Sequence, residues 1–511
     1  MPNAVLAQYS VRSKQSYIYR TNRIREITGA SENIKNAFLL LLSCAGEQNV
    51  KCEPWPPKNG IQLFSLSRTL EAFHSKKLNA VALFEGGGNM TMLYDSRESA
   101  LRTNRAFTRA CLQKCPGMTP LCVFVEVQLE ADAYKADYGR LMAAASAMKN
   151  QMTPCQPVNT LPFTQMDRNT CQPIAEVRAE GGALSQLTAE AAAKLDASPD
   201  VRAKWLDDLV TERGTESLLA VVYADGNSMG EKVIGALAAK SHYDESVNAM
   251  RRFSNEIEQT FVQNGYAAVE RELRAIRSEH ALSGDAAKDD KRYLLRQIVG
   301  GGDEITFICN ARFALRLTRA YLQSLPGGYS SCAGIAVFHS HYPFAEAYRI
   351  AESCCENAKT KPHGEADAHD REQCWIDWYY IHSGVGGDVD DLRNFQQTGN
   401  CIARPWQVSG SKRYPERDIA LLDRLNAVLS GDPAAGRGKI ARTNIKAVGI
   451  AYERSAAEGN EELARICSRN EGLRTALAGL LPQKDLGKAL YDLSEMYDLW
   501  FSGEQKEGAS K

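Results

Sequence analysis

VGGGDEITFICNARFALRLTRAY, residues 299–321, aligns without gaps on EGGGNMTMLYDSRESALRTNRAF, residues 85–107, at an offset of 214. From Gly86 onward eight of 22 aligned positions are identical: Gly86, Gly87, Gly88, Ala100, Leu101, Arg102, Arg105 and Ala106 match their partners. Unrelated stretches of average composition share about one or two. In both copies β-prone residues flank the glycines and ALRxxRA follows at helical spacing. Each copy therefore reads as strand, glycine turn, strand, amphipathic helix.

The repeat extends beyond these stretches. Pro116-Gly117 and Pro326-Gly327 end the two helices, apolar strands follow from Leu121 and Cys332, and then come the helices YGRLMAAASAM and FAEAYRIAESCCENAK. Upstream, AVLAQYSV leads the first copy and LLAVVYADGNSMG (218–230) leads the second. The pattern predicts an α+β protein with two ferredoxin-like palm domains and a helical C-terminal domain. The expected boundaries are 1–145 for a degenerate first palm, 146–212 for a polar and helical insert, 213–383 for the second palm, and 384–511 for the helical region. Residues 232–295 read as helices inserted into the second copy, with the charged loop SGDAAKDDKR.

The 511 residues are 44% hydrophobic and 24% charged, ordinary values for a folded chain and incompatible with disorder or a small disulfide scaffold. Lys plus Arg number 61 against 62 Asp plus Glu, a formal charge of -1, so any nucleic-acid surface is local rather than global. Fourteen cysteines at irregular spacing, several within apolar runs, suit free thiols in a reducing compartment. Without a stretch of roughly 18 apolar residues, a cytoplasmic protein away from membranes is expected.

Asp225 ends an apolar strand, and Asp303-Glu304 follow Gly300, Gly301 and Gly302 in a hairpin. In a four-stranded palm the first strand lies beside that hairpin. Magnesium or manganese takes a few carboxylate oxygens and leaves its other positions to water and phosphate, so Asp225 and Asp303 are candidate metal ligands. Gly301 and Gly302 allow close approach of backbone to a nucleotide, and the amides around Gly226, Asn227 and Ser228 open a helix where phosphates could rest. GGDE alone is also a common hairpin turn.

VVYADGNSMG, GGGDEITFI, SSCAGIAVFHSHYPFAEAYRIAESCCENAK, SYIYRTNRIREITGAS and IARPW together resemble the large palm-domain subunit of type III CRISPR effector complexes. More narrowly, they resemble stand-alone CRISPR-associated relatives of the GGDEF nucleotidyl cyclases. The resemblance implies an ATP-using, metal-dependent nucleotidyltransferase that makes cyclic or linear oligonucleotide second messengers in antiviral defence. It implies metal on Asp225 and Asp303, assistance from Glu304, triphosphate on Lys359, and effector subunits or RNA as partners. The family's usual GGDD is GGDE here, which leans toward the GGDEF pattern. In the gapless alignment Asn89 faces Asp303 and Met90 faces Glu304, so one active centre per chain is expected. The rival readings are a nucleotide or RNA sensor that scaffolds a defence complex, and a GGDEF-like cyclic dinucleotide synthase.

Other signals are weaker. The chain starts directly with the first palm and His369-Asp370 lies in a polar loop with no suitable metal-ligating partners before it, so nuclease activity is not expected. Cys155 and Cys171 fall where relatives carry a zinc insert, but a closed zinc site needs four ligands. Cys111, Cys115 and Cys122 read as core packing, and His339 and His341 as a strand end. The basic run Arg12, Lys14, Arg20, Arg23 and Arg25 reads as a solvated helix face, with an RNA contact as the alternative. No P-loop, GxSxG or HExxH motif is present.

Overall fold

The computed structural model describes residues 4–21, 24–55, 63–115, 117–152, 164–167, 174–177, 183–185, 206–210, 217–279, 294–363, 372–382, 386–396, 400–408, 415–432, 438–470, 472–481 and 483–500. Arg23, Cys155, Cys171, the SGDAAKDDKR loop and His369-Asp370 lie outside the described residues. The chain forms two compact units, one comprising 1–205, 228–262 and 298–304, the other 206–227, 263–297 and 305–511. Among the described residues no helix is long and apolar enough to cross a membrane.

The first unit is built on β1 (Ala4–Arg12), β2 (Ala80–Gly86), β3 (Asn89–Tyr94) and β4 (Thr119–Val127), in the order β2-β3-β1-β4. Adjacent strands are antiparallel. This is the ferredoxin-like order that a strand-helix-strand-strand-helix-strand repeat predicts. Every residue of β1 from Ala4 to Val11 is buried, because helices cover both faces of the sheet. On one face Tyr9 meets Phe107 of the helix Arg97–Lys114 edge-on at 6.0 Å. On the other, Ala4 and Leu6 pack with Leu141 and Ala145 of the helix Tyr134–Gln151. Between β1 and β2 lie the helices Ile24–Lys35 and Ala37–Glu47, separated at Asn36.

A short ribbon, β5 (Ile174–Val177) with β6 (Ala183–Ser185), follows. The second sheet contains β7 (Leu218–Gly226), β8 (Leu295–Gly301), β9 (Glu304–Asn310), β10 (Ser331–His339), β11 (Trp375–Tyr380) and β12 (Trp406–Gln407), ordered β12-β11-β10-β7-β9-β8. Its four strands β10-β7-β9-β8 repeat the order of the first sheet, and β11 extends it parallel to β10. Ala220, Val222 and Ala224 share a core with Val269 and Leu273 of the helix Gly265–Glu279 and with Leu317 of the helix Ala314–Gln323. That core continues into Leu425, Leu490 and Leu493 of the C-terminal helices, so the helical region after 384 is packed as part of the second unit. Each such leucine contributes ~1.5–3 kcal/mol through burial.

The opposite face of β10 carries the helix Phe344–His363 at very close range. A Cβ on Gly334 would lie 1.9 Å from the Ala351 carbonyl oxygen and 2.4 Å from the Cys355 nitrogen. Only a residue without a side chain permits that approach.

The helices between β7 and β8 divide between the two cores. Leu237, Tyr243, Val247 and Met250, from Met229–Ala238 and Tyr243–Ile257, join the first core beside Leu83 and Leu141. After a π-helical segment, Glu258–Asn264, the helix Gly265–Glu279 turns Val269, Leu273 and Ile276 into the second core.

Candidate functional site

The GGDE hairpin turns on Gly302 and Asp303, between Gly301 at the end of β8 and Glu304 at the start of β9. Gly302 takes φ +67° and Asp303 stays at negative φ, the signature of a type II′ turn. In the first copy Gly87 and Gly88 both have positive φ, +56° and +68°, as a type I′ turn requires. The turns thus join Gly86 to Asn89 and Gly301 to Glu304, and the two hairpins correspond at 301 − 86 = 215 rather than 214.

The ladders agree with this shift. Tyr9 pairs with Met90, and Ala224 with Ile305, each pair facing a helix-covered core. A slip of one residue would reverse the faces. The sequence alignment, held in register by the ALRxxRA helices, is therefore corrected by one position in the strands. Gly88 corresponds to Asp303, Asn89 to Glu304 and Ser10 to Asp225. None of the three first-copy residues is a carboxylate.

Asp225 is the penultimate residue of β7 and pairs with Cys332, while its carbonyl accepts a hydrogen bond from Ser331 Oγ at 2.9 Å. Its side chain shares a face with Tyr223, which stacks edge-on against Tyr348 of the helix Phe344–His363. Three turns further along that helix, Lys359 Nζ donates to Asp225 Oδ2 and also to Glu356 Oε1 at 3.4 Å. The lysine side chain is 11% exposed and the aspartate 23%. Burial pulls the Lys359 pKa down, but the charge and hydrogen bond of Asp225, with Glu356, outweigh it and hold the group above ordinary lysine. Glu352 is pushed up, first by burial and then by the charges of Glu356 and Asp225.

Ala224 and Ile305 are the last paired residues of β7 and β9 on this side. Asp225 and Glu304 are therefore the next residues along two neighbouring strands, with Asp303 in the turn just before. The oxygen donors are hard and few, a set that fits magnesium or manganese completed by water and phosphate. Among the described residues no group of three or more His, Cys, Asp or Glu could hold a metal by itself.

The turn after β7 departs from the sequence expectation at one residue. The Asn227 amide, expected to face phosphate, donates to the Ser330 carbonyl at 2.9 Å. Its side-chain Nδ2 donates to Ser330 Oγ at 3.0 Å and to the Gln373 carbonyl at 3.3 Å, and the residue is 1% exposed. Asn227 braces the turn from inside, because a buried amide must find a partner. Gly226 pairs with Ser331, and Ser228 adopts the left-handed conformation, φ +54°, at the start of the helix Met229–Ala238.

The two hairpin glycines differ in the same way. Gly301 has open space where a Cβ would stand, as backbone approach to a ligand requires, whereas a Cβ on Gly302 would lie 3.1 Å from Gly87 Cα. The Gly302 amide donates to Glu258 Oε2 at 3.2 Å. Burial pushes the Glu258 carboxyl up, partly countered by that amide.

Lys14 gained significance only in three dimensions. Its Nζ donates to the Gly87 carbonyl at 3.2 Å, and the charges of Glu304 and Asp303 act on it against burial, which lowers its pKa. No local pattern signals this, since Lys14 lies far from the hairpin in sequence. Arg20 sits 5.9 Å from the Tyr17 ring, and Cys111 and Cys115 are buried and not in a disulfide. His339 and His341 contact each other at 5.2 Å at the end of β10.

No family model and no curated protein matches the chain. Solved structures are similar to it. A Csm1-Csm4 cassette in complex with cA4 is 10% identical with a TM-score of 0.48, covering 97% of this chain and 70% of its own. A Csm1-Csm4 cassette in complex with AMPPNP is 11% identical with a TM-score of 0.45, covering 96% and 70%. Csm1 of T. onnurineus is 12% identical with a TM-score of 0.43, covering 84% and 61%, so this chain spans under two thirds of that protein. A further neighbour is a Csm1-Csm4 subcomplex in the type III-A CRISPR-Csm interference complex, 10% identical with a TM-score of 0.41, covering 84% of this chain and 62% of its own.

Proposed function

We propose that the protein is a metal-dependent nucleotidyltransferase that joins ATP into cyclic or linear oligonucleotide second messengers for antiviral defence. The observation that carries this reading is the Lys359 ammonium seated on Asp225 at the end of β7, the strand that pairs with β9, which begins at Glu304 directly after the Asp303 turn. A palm reaction needs carboxylates beside a cation there. Bound by Asp225 and Asp303, magnesium or manganese supplies neutralisation of phosphate charge and a lowered pKa for the attacking 3'-hydroxyl.

The chain's own residues have separate tasks. Lys359 offers a permanent positive charge to the triphosphate, and Glu304 lies on the strand that orients Asp303. Gly301 leaves room for the nucleotide, while Gly226 and Ser228 present the start of a helix to phosphate. Asn227 keeps that turn in place. The choice of ATP, and of RNA or CRISPR-type effector subunits as partners, comes from the motif resemblance.

The test is incubation of the purified chain with each NTP and magnesium or manganese, with and without RNA, followed by product separation. Phosphatase-resistant oligonucleotide is expected, and its loss by at least ~1000-fold in Asp225→Asn and Asp303→Asn. Product at the wild-type rate from Asp303→Asn would overturn the assignment. Nucleotide binding without magnesium dependence or pyrophosphate would favour a sensor or scaffold.

A further inference from the structure

Lys359 already occupies the carboxylate that a metal would need. Its Nζ lies on Asp225 Oδ2, both side chains are largely shielded from water, and the Asp225 backbone is held by Ser331 Oγ and by its pairing with Cys332. Only side-chain rotation can free the carboxylate. The groups facing the ammonium are Asp225 from β7 and, from its own helix, Glu352, Glu356 and the Cys355 thiol. Glu356, at 3.4 Å and on an exposed side chain, is a second anion within reach.

Resting on the reading that Asp225 binds metal, we infer that Lys359 and the divalent cation are alternative occupants of Asp225, and that an incoming triphosphate decides between them. Two cations cannot share one small carboxylate without repulsion, so the metal binds Asp225 against the cost of breaking the ion pair. A nucleotide triphosphate gives the displaced ammonium a new and stronger partner. Metal and nucleotide therefore bind with positive coupling, and the free protein holds metal weakly, which limits idle metal loading and unproductive hydrolysis. The coupling is reciprocal: metal must tighten nucleotide binding by the same factor.

The experiment measures Mn2+ binding to the full chain by electron paramagnetic resonance, with and without a non-reactive α,β-methylene ATP analogue. Wild type, Lys359→Met, Lys359→Arg and Asp225→Asn are compared. Lys359→Met should bind Mn2+ on the order of 10-fold more tightly than wild type without nucleotide, within the usual range of such couplings. Lys359→Arg, which keeps the charge, should stay near wild type. The analogue's enhancement of Mn2+ affinity should be large in wild type and reduced in Lys359→Met, after subtraction of Mn2+ bound by the free analogue. If Asp225→Asn loses the site but Lys359→Met binds as wild type does, the competition is refuted while the metal reading survives. If Asp225→Asn binds Mn2+ as wild type does, the metal is elsewhere and both readings fall.

Discussion

Gly334 shows how one residue sets the geometry of the whole site. The helix that carries Lys359 rests backbone to backbone on this position, with Ala351 and Cys355 inside the volume of a methyl group. Gly334→Ala must push that helix off the sheet. The expected cost is ~1–3 kcal/mol of stability, read from denaturant unfolding. Its displacement of Lys359 should also weaken nucleotide binding. Gly301→Ala is the contrasting case: with nothing within 4 Å of the added atom, the fold should tolerate it, and any loss should appear in KM for nucleotide.

At the scale of elements, β11 and the IARPW segment build a buried ionic lattice beside the site. Asp377 Oδ1 accepts from Arg393 at 2.7 Å, and Asp377 Oδ2 accepts from Asn357, two residues before Lys359, at 2.6 Å. Arg404 lies between Asp377, Asp492 and Glu495 and over the Trp378 ring at 5.1 Å. Asp492 Oδ2 also accepts from the amides of Ala403 and Arg404 and from Trp406 Nε1, at 3.0, 2.9 and 2.8 Å. Arg404→Leu leaves buried carboxylates without their cation and should cost ~3–5 kcal/mol in unfolding free energy.

The lattice also carries a pH signature. Burial pushes the Asp492 carboxyl up to about 6, against the pull of Arg404 and Trp406. A carboxyl raised in the fold binds its proton more tightly folded than unfolded. Its contribution is complete below about pH 4, the unfolded value, and is lost as pH rises through about 6. Unfolding midpoints measured across that window should decline with pH, and Asp492→Asn should flatten the decline.

For the whole molecule, neither compact unit is a continuous stretch of chain. Residues 1–205 lack Leu237, Tyr243, Val247 and Met250, which fill the first core. Arg251 from the same helix donates to the Leu83 and Ala82 carbonyls at 2.6 Å. A 1–205 fragment should therefore unfold without a cooperative transition, and supplying the 228–262 segment should restore one in calorimetry. None of the described cysteines is in a disulfide.

What was legible in the sequence followed from local chemistry. Apolar, β-prone runs, glycine turns and the ALRxxRA helices disclosed two copies of one strand-helix unit, and the strand end at Asp225 and the GGDE turn could be found by inspection. β11, WIDWYY, lies outside the repeated four-strand unit, so the repeat offered no signal for it. The strand register was misjudged by one residue because helix identities dominated the alignment, while turn type, set by where positive φ falls, fixes the hairpin. Asn227 looked like a phosphate donor because nothing local reveals that Ser330 and Gln373 will claim its amides.

The sequence by itself determined the repeated topology, the asymmetry of charge between the two hairpins and the residue types at the candidate centre. Only the tertiary structure decided that Lys359 rests on Asp225, that Gly302 backs onto Gly87, and that the inserted helices divide between two cores. Turn, strand and helix preferences are encoded within a few residues. Ion pairs and core membership join residues more than a hundred positions apart, and they depend on packing that no local pattern records.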